Sequence, residues 1–195
     1  MDNKLKIINY LGKHKDQLFT MRELSKASSV PYATLYRSLL EMKELLTVQT
    51  VGKAKVVSLN VANSLIKSYL AISSDEERKE FLKSQPVLGK IASELNTKDI
   101  VILFGSYAKG VASEKSDIDL LIINQTGKKS LSFSKYETLF DKKINPIFVT
   151  KREFELMLRD KEENVGTQAL KDHIVLNNPE DFWEVVWRGR LQKSL

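Results

Sequence analysis

Apolar residues recur at helical spacing through most of this chain and switch to alternation, or to unbroken runs, in a few short stretches. Leu5, Ile7, Ile8 and Leu11, with Leu18 and Phe19 continuing the apolar pattern, predict a first helix over residues 3 to 13 that leaves through Gly12-Lys13-His14-Lys15. Thr20 followed by Glu23 is a capping box for a short helix, Met21 to Ala27. Ser28-Ser29-Val30 forms a turn, and Pro31 stands where a helix begins without needing an N–H. A third helix, Pro31 to Leu46, buries Leu35, Leu39, Met42 and Leu46 and leaves Tyr32, Thr34, Arg37 and Ser38 on other faces. Thr47 to Val51 and Lys55 to Asn60 then form extended segments joined through Gly52-Lys53-Ala54, a hairpin signal.

From Val61 to Asn96 the helical period returns. Leu65, Ile66, Tyr69 and Leu70 make one stripe, and Phe81, Leu82, Leu88 and Ile91 continue it past breaks at Ser73-Ser74-Asp75 and Pro86. Ser74 with Glu77 predicts a capping box and a separate helix from Asp75 to Ser84. This stretch is a helical connector, either holding two domains in a fixed relation or building a homodimer surface. Beyond it, Asp99 to Phe104 is a β-branched apolar run that ends in Gly-Ser and reads as a buried strand entering a tight turn. Ile118 to Ile123 and the segment from Lys143 to Phe148 supply two more strands. Thr150 caps a helix Lys151 to Arg159, Val165 to Asp172 gives another, His173 to Leu176 a last strand, and Pro179 to Leu191 a last helix, with Trp183 and Trp187 as its core residues.

The chemistry concentrates around Gly105-Ser106-Tyr107-Ala108-Lys109-Gly110 and Ser116-Asp117-Ile118-Asp119-Leu120. Gly105 tolerates positive φ and presents no Cβ to a ligand, and the N–H groups of a short helix opened by Ser106 and Tyr107 favour phosphate. Asp117 and Asp119 share one strand face at about 6.5 to 7 Å, a pair that suits Mg²⁺ completed by substrate phosphates. Two ions held in this way would brace the attacking and leaving oxygens of an in-line displacement. Asp-x-Asp by itself is common at solvated strand ends, but an apolar run follows it here, and a carboxylate entering a buried strand needs a reason. The glycine spacing also matches the outer glycines of a P-loop, yet Val111-Ala112 stand where that motif requires Lys-Ser/Thr, which excludes a Walker-type NTPase. Lys109 and Lys115 flank the turn, either to touch a triphosphate or simply as solvated lysines.

Over residues 96 to 187 the chain resembles the nucleotidyltransferase superfamily that includes DNA polymerase β, in particular the small stand-alone members of bacteria and archaea. The resemblance rests on Gly105-Ser106, Gly110 and Asp117-Ile118-Asp119-Leu120, and continues through Lys143 to Phe148 and Asn164 to Leu176. It implies an NTP site with Gly105, Ser106, Lys109, Gly110 and Ser116 on the nucleotide, and Asp117 and Asp119 as catalytic metal ligands for Mg²⁺. It also implies transfer of a nucleotidyl group to a hydroxyl acceptor, which in some small relatives lies on a partner protein encoded nearby. Fully active relatives carry a third carboxylate on the adjacent strand, and the matching position here is Asn145. An amide has no charge and cannot act as a base; Asp141 is the nearby alternative.

Charge changes the picture of the other half. The formal net charge is +6, and residues 1 to 72 hold 11 Lys/Arg against 5 Asp/Glu, so the whole excess lies in the first third. Nucleic acid is the commonest partner of such a module, because neutralised phosphates release counterions. Helix, helix-turn-helix and a basic-tipped hairpin resemble the winged helix-turn-helix of bacterial and archaeal regulators, which implies duplex DNA binding by Tyr32, Thr34 and Arg37 on the third helix and by Lys53 and Lys55 on the wing. Docking to a protein is the alternative use of such a module.

There are no cysteines, so disulfides and thiolate metal sites are excluded. His14 and His173 read as surface or helix-end residues. The apolar runs are far shorter than the roughly 20 residues of a membrane span, and the first residues carry no signal-peptide apolar region, which predicts a cytoplasmic protein with no membrane partner. The expected architecture is α+β: a winged helix-turn-helix over residues 1–60, a helical connector over 61–96 and a nucleotidyltransferase fold with a small mixed β-sheet over 97–195. The rival expectation is a DNA-binding regulator whose nucleotidyltransferase-like domain has lost transfer and only binds nucleotide or dimerises.

Overall fold

A computed structural model describes residues 1–14 and 17–191, and the chain divides into two compact units, Met1–Glu76 and Glu77–Leu195. In the first unit, α1 (Asn3–Lys13) starts at Asp2, whose carboxylate accepts from the Lys4 N–H. It buries Ile7, Ile8 and Leu11. β1 (Phe19–Thr20) follows, then α2 (Met21–Ala27), for which Thr20 and Glu23 form the expected reciprocal capping box. α3 (Tyr32–Glu41) leads into the hairpin of β2 (Leu46–Val51) and β3 (Ala54–Leu59). β3 pairs antiparallel with both β1 and β2, giving a three-stranded sheet in the order β1-β3-β2. Gly52 adopts φ +60° at the hairpin tip, where Val51 opposes Ala54.

Several expected boundaries move. Phe19 belongs to β1 and Leu18 is exposed, so neither extends the α1 stripe; Lys15 lies outside the described residues. α3 stops at Glu41, because Met42 leaves helical geometry and Leu46 is drawn into the ladder opposite Leu59. Ser38 packs inward and is buried. The break anticipated at Ser74 is absent: α4 runs unbroken from Leu65 to Leu82. Ser73 and Ser74 are fully buried in it, and the Ser73 hydroxyl donates to the Leu70 carbonyl at 2.8 Å. A cap stands outside helical geometry, and Ser74 instead lies buried in the middle of a continuous helix, with no helix start to cap. The helix yields only ahead of Pro86, which opens α5 (Pro86–Glu94).

The second unit is built on a four-stranded mixed sheet in the order β6-β5-β4-β7. β4 (Ile100–Phe104) pairs antiparallel with β5 (Ile118–Asn124) and with β7 (Ile174–Asn177), while β5 and β6 (Ile144–Thr150) run parallel. Between them lie α6 (Gly105–Ala108), α7 (Ser134–Phe140), α8 (Lys151–Arg159), α9 (Val165–Lys171) and α10 (Pro179–Val186), the last continuing into a wider π-type turn over Trp187–Leu191. Thr150 and Glu153 make the capping box of α8. The core joins Leu88 and Ile91 to Val101, Leu103, Ile118, Leu120 and Ile122 of the central strands, and to Phe133 and Tyr136. β4 is buried at every position, and all but Asp119 of β5 is buried too, which explains why both read as unbroken apolar runs.

His14 follows α1 and stacks on Tyr10 at 4.2 Å. His173 is buried rather than at the surface: its Nδ1 lies 2.8 Å from the Leu170 carbonyl and its ring packs against Phe182. Trp183 is fully buried and Trp187 half-buried. No helix among the described residues is long and apolar enough to cross a membrane.

α5 and α7 are tied by Glu94, which meets Lys90 at 2.5 Å and Lys135 at 2.7 Å and accepts from the Tyr136 hydroxyl at 2.8 Å. Lys135, then Lys90 and Tyr136, hold its carboxyl down from 4.5 to about 2. A depressed carboxylate stabilises the fold above its unfolded pKa, and that contribution disappears as pH falls through the folded value. Glu94→Gln should therefore melt at a lower temperature at pH 7 and lose less stability than wild type between pH 4.5 and 2. Thermal melts across that window check this. The difference should shrink in added salt, since both lysine partners are solvent-accessible.

Candidate functional site

β4 delivers the chain into Gly105, which adopts φ +72°, and the strand-to-helix turn continues through α6 to Gly110 at φ +71°. Gly105 is needed for two reasons. Its φ lies in the left-handed region, and a Cβ there would collide with Oδ2 of Asp119. That contact follows from the sheet, because Phe104 lies opposite Asp119 in the antiparallel ladder. The glycine therefore seats a carboxylate of the site against the backbone. The carbonyls of Gly105, Ser106 and Tyr107 accept from the N–H groups of Lys109, Val111 and Gly110, which fixes the turn.

On the other edge of β5 the parallel register sets Asn145 opposite Asp119. The Asn145 Nδ2 donates to Asp119 Oδ1 and to Asp117 Oδ2, each at 3.2 Å, so one amide bridges both carboxylates. Lys143, two residues earlier, places Nζ 3.1 Å from the same Asp117 oxygen. Lys143, and after it Asn145, hold the Asp117 carboxyl below its ordinary value. The structure thus gathers Gly105, Asp117, Asp119 and Asn145 at the C-terminal end of β4 and across the entry of β5 and β6.

The remaining expected residues lie around this centre with other engagements. The Ser116 hydroxyl accepts from the Ser113 N–H at 2.9 Å and pins the loop ahead of Asp117. Lys109 lies 3.9 Å from the Asp172 carboxylate. Asp141 is off the strand: it ends α7 with φ 47° and lines an open pocket of about 550 Å³ together with Asp117, Ser116, Lys115, Lys142 and Lys143. Lys143 was not singled out from the sequence, although residues two apart on a strand share a face and Asn145 had been placed beside Asp119's strand.

A divalent cation has two carboxylates available here, Asp117 and Asp119, and among the described residues no group of three His, Cys, Asp or Glu side chains converges. That donor set fits one hard cation whose shell is completed by phosphate oxygens and water. In the first unit, Tyr32, Arg37, Lys53 and Lys55 are exposed and Thr34 is half-buried. The Arg37 Nε donates to the Ala33 carbonyl at 3.3 Å.

Gly105 and Gly110 share a backbone conformation but not an environment, since a Cβ at Gly110 meets nothing within 4 Å. Gly110→Ala should cost about 1 kcal/mol for the left-handed φ alone, whereas Gly105→Ala should cost about 1 to 3 kcal/mol more because Asp119 must also move. Urea unfolding of the two variants checks the difference.

Comparison with known proteins agrees with this geometry. Residues 87–180 match the nucleotidyltransferase domain family. A Methanocaldococcus jannaschii protein provisionally named a protein adenylyltransferase is 36% identical over 78 residues, which cover 36% of this chain and 78% of that relative. No solved structure matches. With the glycine turn, the paired aspartates and these similarities in agreement, the chain belongs to the nucleotidyltransferase family.

Proposed function

We propose that the second unit transfers a nucleotidyl group, adenylyl by analogy with the named relative, from an Mg²⁺-bound NTP to a hydroxyl on a partner protein. The observation that carries this reading is the convergence of Asp117 and Asp119 on one amide beside the Gly105 turn. In the reaction, the acceptor oxygen bonds to the α-phosphorus, the bond to the bridging oxygen of the β-phosphate breaks, pyrophosphate leaves, and the hydroxyl proton passes to solvent. Mg²⁺ supplies charge neutralisation for the triphosphate when bound. Asp117 and Asp119 hold it, and the turn from Gly105 through Ser106 to Gly110 keeps backbone close to the phosphates. Lys109 and Ser116 border the nucleotide. Asn145 orients both carboxylates but cannot take a proton.

The first unit is read as a winged helix-turn-helix that binds duplex DNA. Supporting this are the α1-β1-α2-α3-β2-β3 order, the three-stranded sheet, the two-residue hairpin tip carrying Lys53, and exposed Tyr32 and Arg37 on α3. Asn145 in place of a carboxylate favours a second reading, in which the protein is a DNA-binding regulator that binds nucleotide without transferring it.

Transfer of label from α-labelled ATP to proteins of a source-cell extract separates these. Mg²⁺-dependent labelling should be lost in Asp117→Ala/Asp119→Ala. It should rise in Asn145→Asp, since a missing acid–base group typically costs about two to four orders of magnitude in rate. ATP binding with no labelling by either wild type or Asn145→Asp would leave the regulator reading. For the first unit, Arg37→Ala in the full chain should weaken duplex binding by about 1 to 3 kcal/mol. Salt-insensitive binding, or none, by wild type would refute the DNA assignment, as measured by fluorescence anisotropy at several salt concentrations.

A further inference from the structure

Lys143 is held at the site by backbone as well as by charge. Its carbonyl accepts from the Ile118 N–H at 2.9 Å, extending the β5–β6 ladder by one residue, so the lysine emerges directly beside Asp117. Its side chain and that of Asn145 leave the same face of the strand. The two donors converge on Asp117 Oδ2, at 3.1 and 3.2 Å, and Asn145 also occupies Asp119 Oδ1. One oxygen of each aspartate is thus engaged by β6, which leaves an ion Asp117 Oδ1 and Asp119 Oδ2, the latter walled on one side by Gly105.

Resting on the nucleotide reading above, we infer that this site takes up one divalent cation per bound nucleoside triphosphate, the Lys143 ammonium standing where a second ion would otherwise supply positive charge. The charge count supports this. Three carboxylates with two divalent cations present a triphosphate with a net charge of plus one. Two carboxylates, one ammonium and one divalent cation present the same charge. A second ion in this chain would raise it to plus three and would have to displace both donors from Asp117. Asn145 and Lys143 are therefore a matched pair: the amide removes a negative charge, the ammonium adds a positive one, and together they substitute for one ion and its third ligand.

The test uses full-length protein with Mn²⁺ and αβ-methylene-ATP as probes. Bound ions are counted from the electron paramagnetic resonance signal of free Mn²⁺, and bound nucleotide by equilibrium dialysis. Wild type should hold one Mn²⁺ per nucleotide, and Lys143→Met/Asn145→Asp should hold two. Lys143→Met alone should keep one ion and bind it about tenfold more tightly, because a cation next to the ligand carboxylate has gone. Two ions on wild type, or unchanged Mn²⁺ affinity in Lys143→Met, would overturn the inference and leave the nucleotide site standing. Binding of neither probe by wild type would overturn both. If the double variant fails to fold, the wild-type count and the Lys143→Met affinity still decide.

Discussion

The amide of Asn145 is the pivot of the second unit. It lies opposite Asp119 only because β5 and β6 run parallel in a fixed register, with Ile118 facing Ile144 and Asn124 facing Thr150 at the two ends. A slip of one residue would turn Asn145 to the other face of the sheet and take its donors away from both carboxylates. The register is protected by burial, since Ile118, Leu120, Ile122 and Ile144 all belong to one core. The apolar packing of the sheet and the polar geometry of the site are therefore one constraint seen from its two sides.

Gly105 ties the third strand into that constraint. Two carboxylates, held within twice a hydrogen-bond length of each other, repel unless something neutralises or orients them. Here Asn145 and Lys143 do so from β6, while Gly105 allows β4 to close against Asp119 from the opposite side. The glycine commonly read as room for a phosphate has, in this chain, a prior duty to a side chain. Its φ and its lack of a Cβ serve the same end, because the left-handed turn is what brings the backbone that close.

Much of this was legible in the sequence, and the gaps have physical causes. Local signals read correctly where residue and neighbour lie within one turn: the Thr20/Glu23 and Thr150/Glu153 capping boxes, Gly52 at the hairpin tip, Pro86 opening α5. The Ser74 box failed because capping competes with helix continuation. In α4 both serines are buried, and the Ser73 hydroxyl already has a carbonyl on its own helix. α7 went unread because Leu131, Phe133 and Tyr136 begin with an alternating spacing, and Tyr136 is the one core residue the short helix itself contributes. β1 is two residues long and has no period to detect; it exists because β3 offers an edge for Phe19 and Thr20. In the site, the motif named Asp117 and Asp119, while Lys143 shares a strand face with Asn145 but meets Asp117 only through the β5–β6 register, which spacing alone does not fix.

The same register bears on Asp141. It stands in a left-handed cap at the end of α7, ahead of β6, and its neighbour Lys142 reaches across to the Glu114 carbonyl. To act as a third ligand it would have to occupy the strand position opposite Asp119, and Asn145 already does so through the ladder. Shifting β6 by four residues would keep its faces but break every pair from Ile118 to Asn124. The fold thus commits the third position to an amide. What β5 and β6 bring together there is two carboxylates, one amide and one ammonium, and no shift that the sheet tolerates adds a third carboxylate.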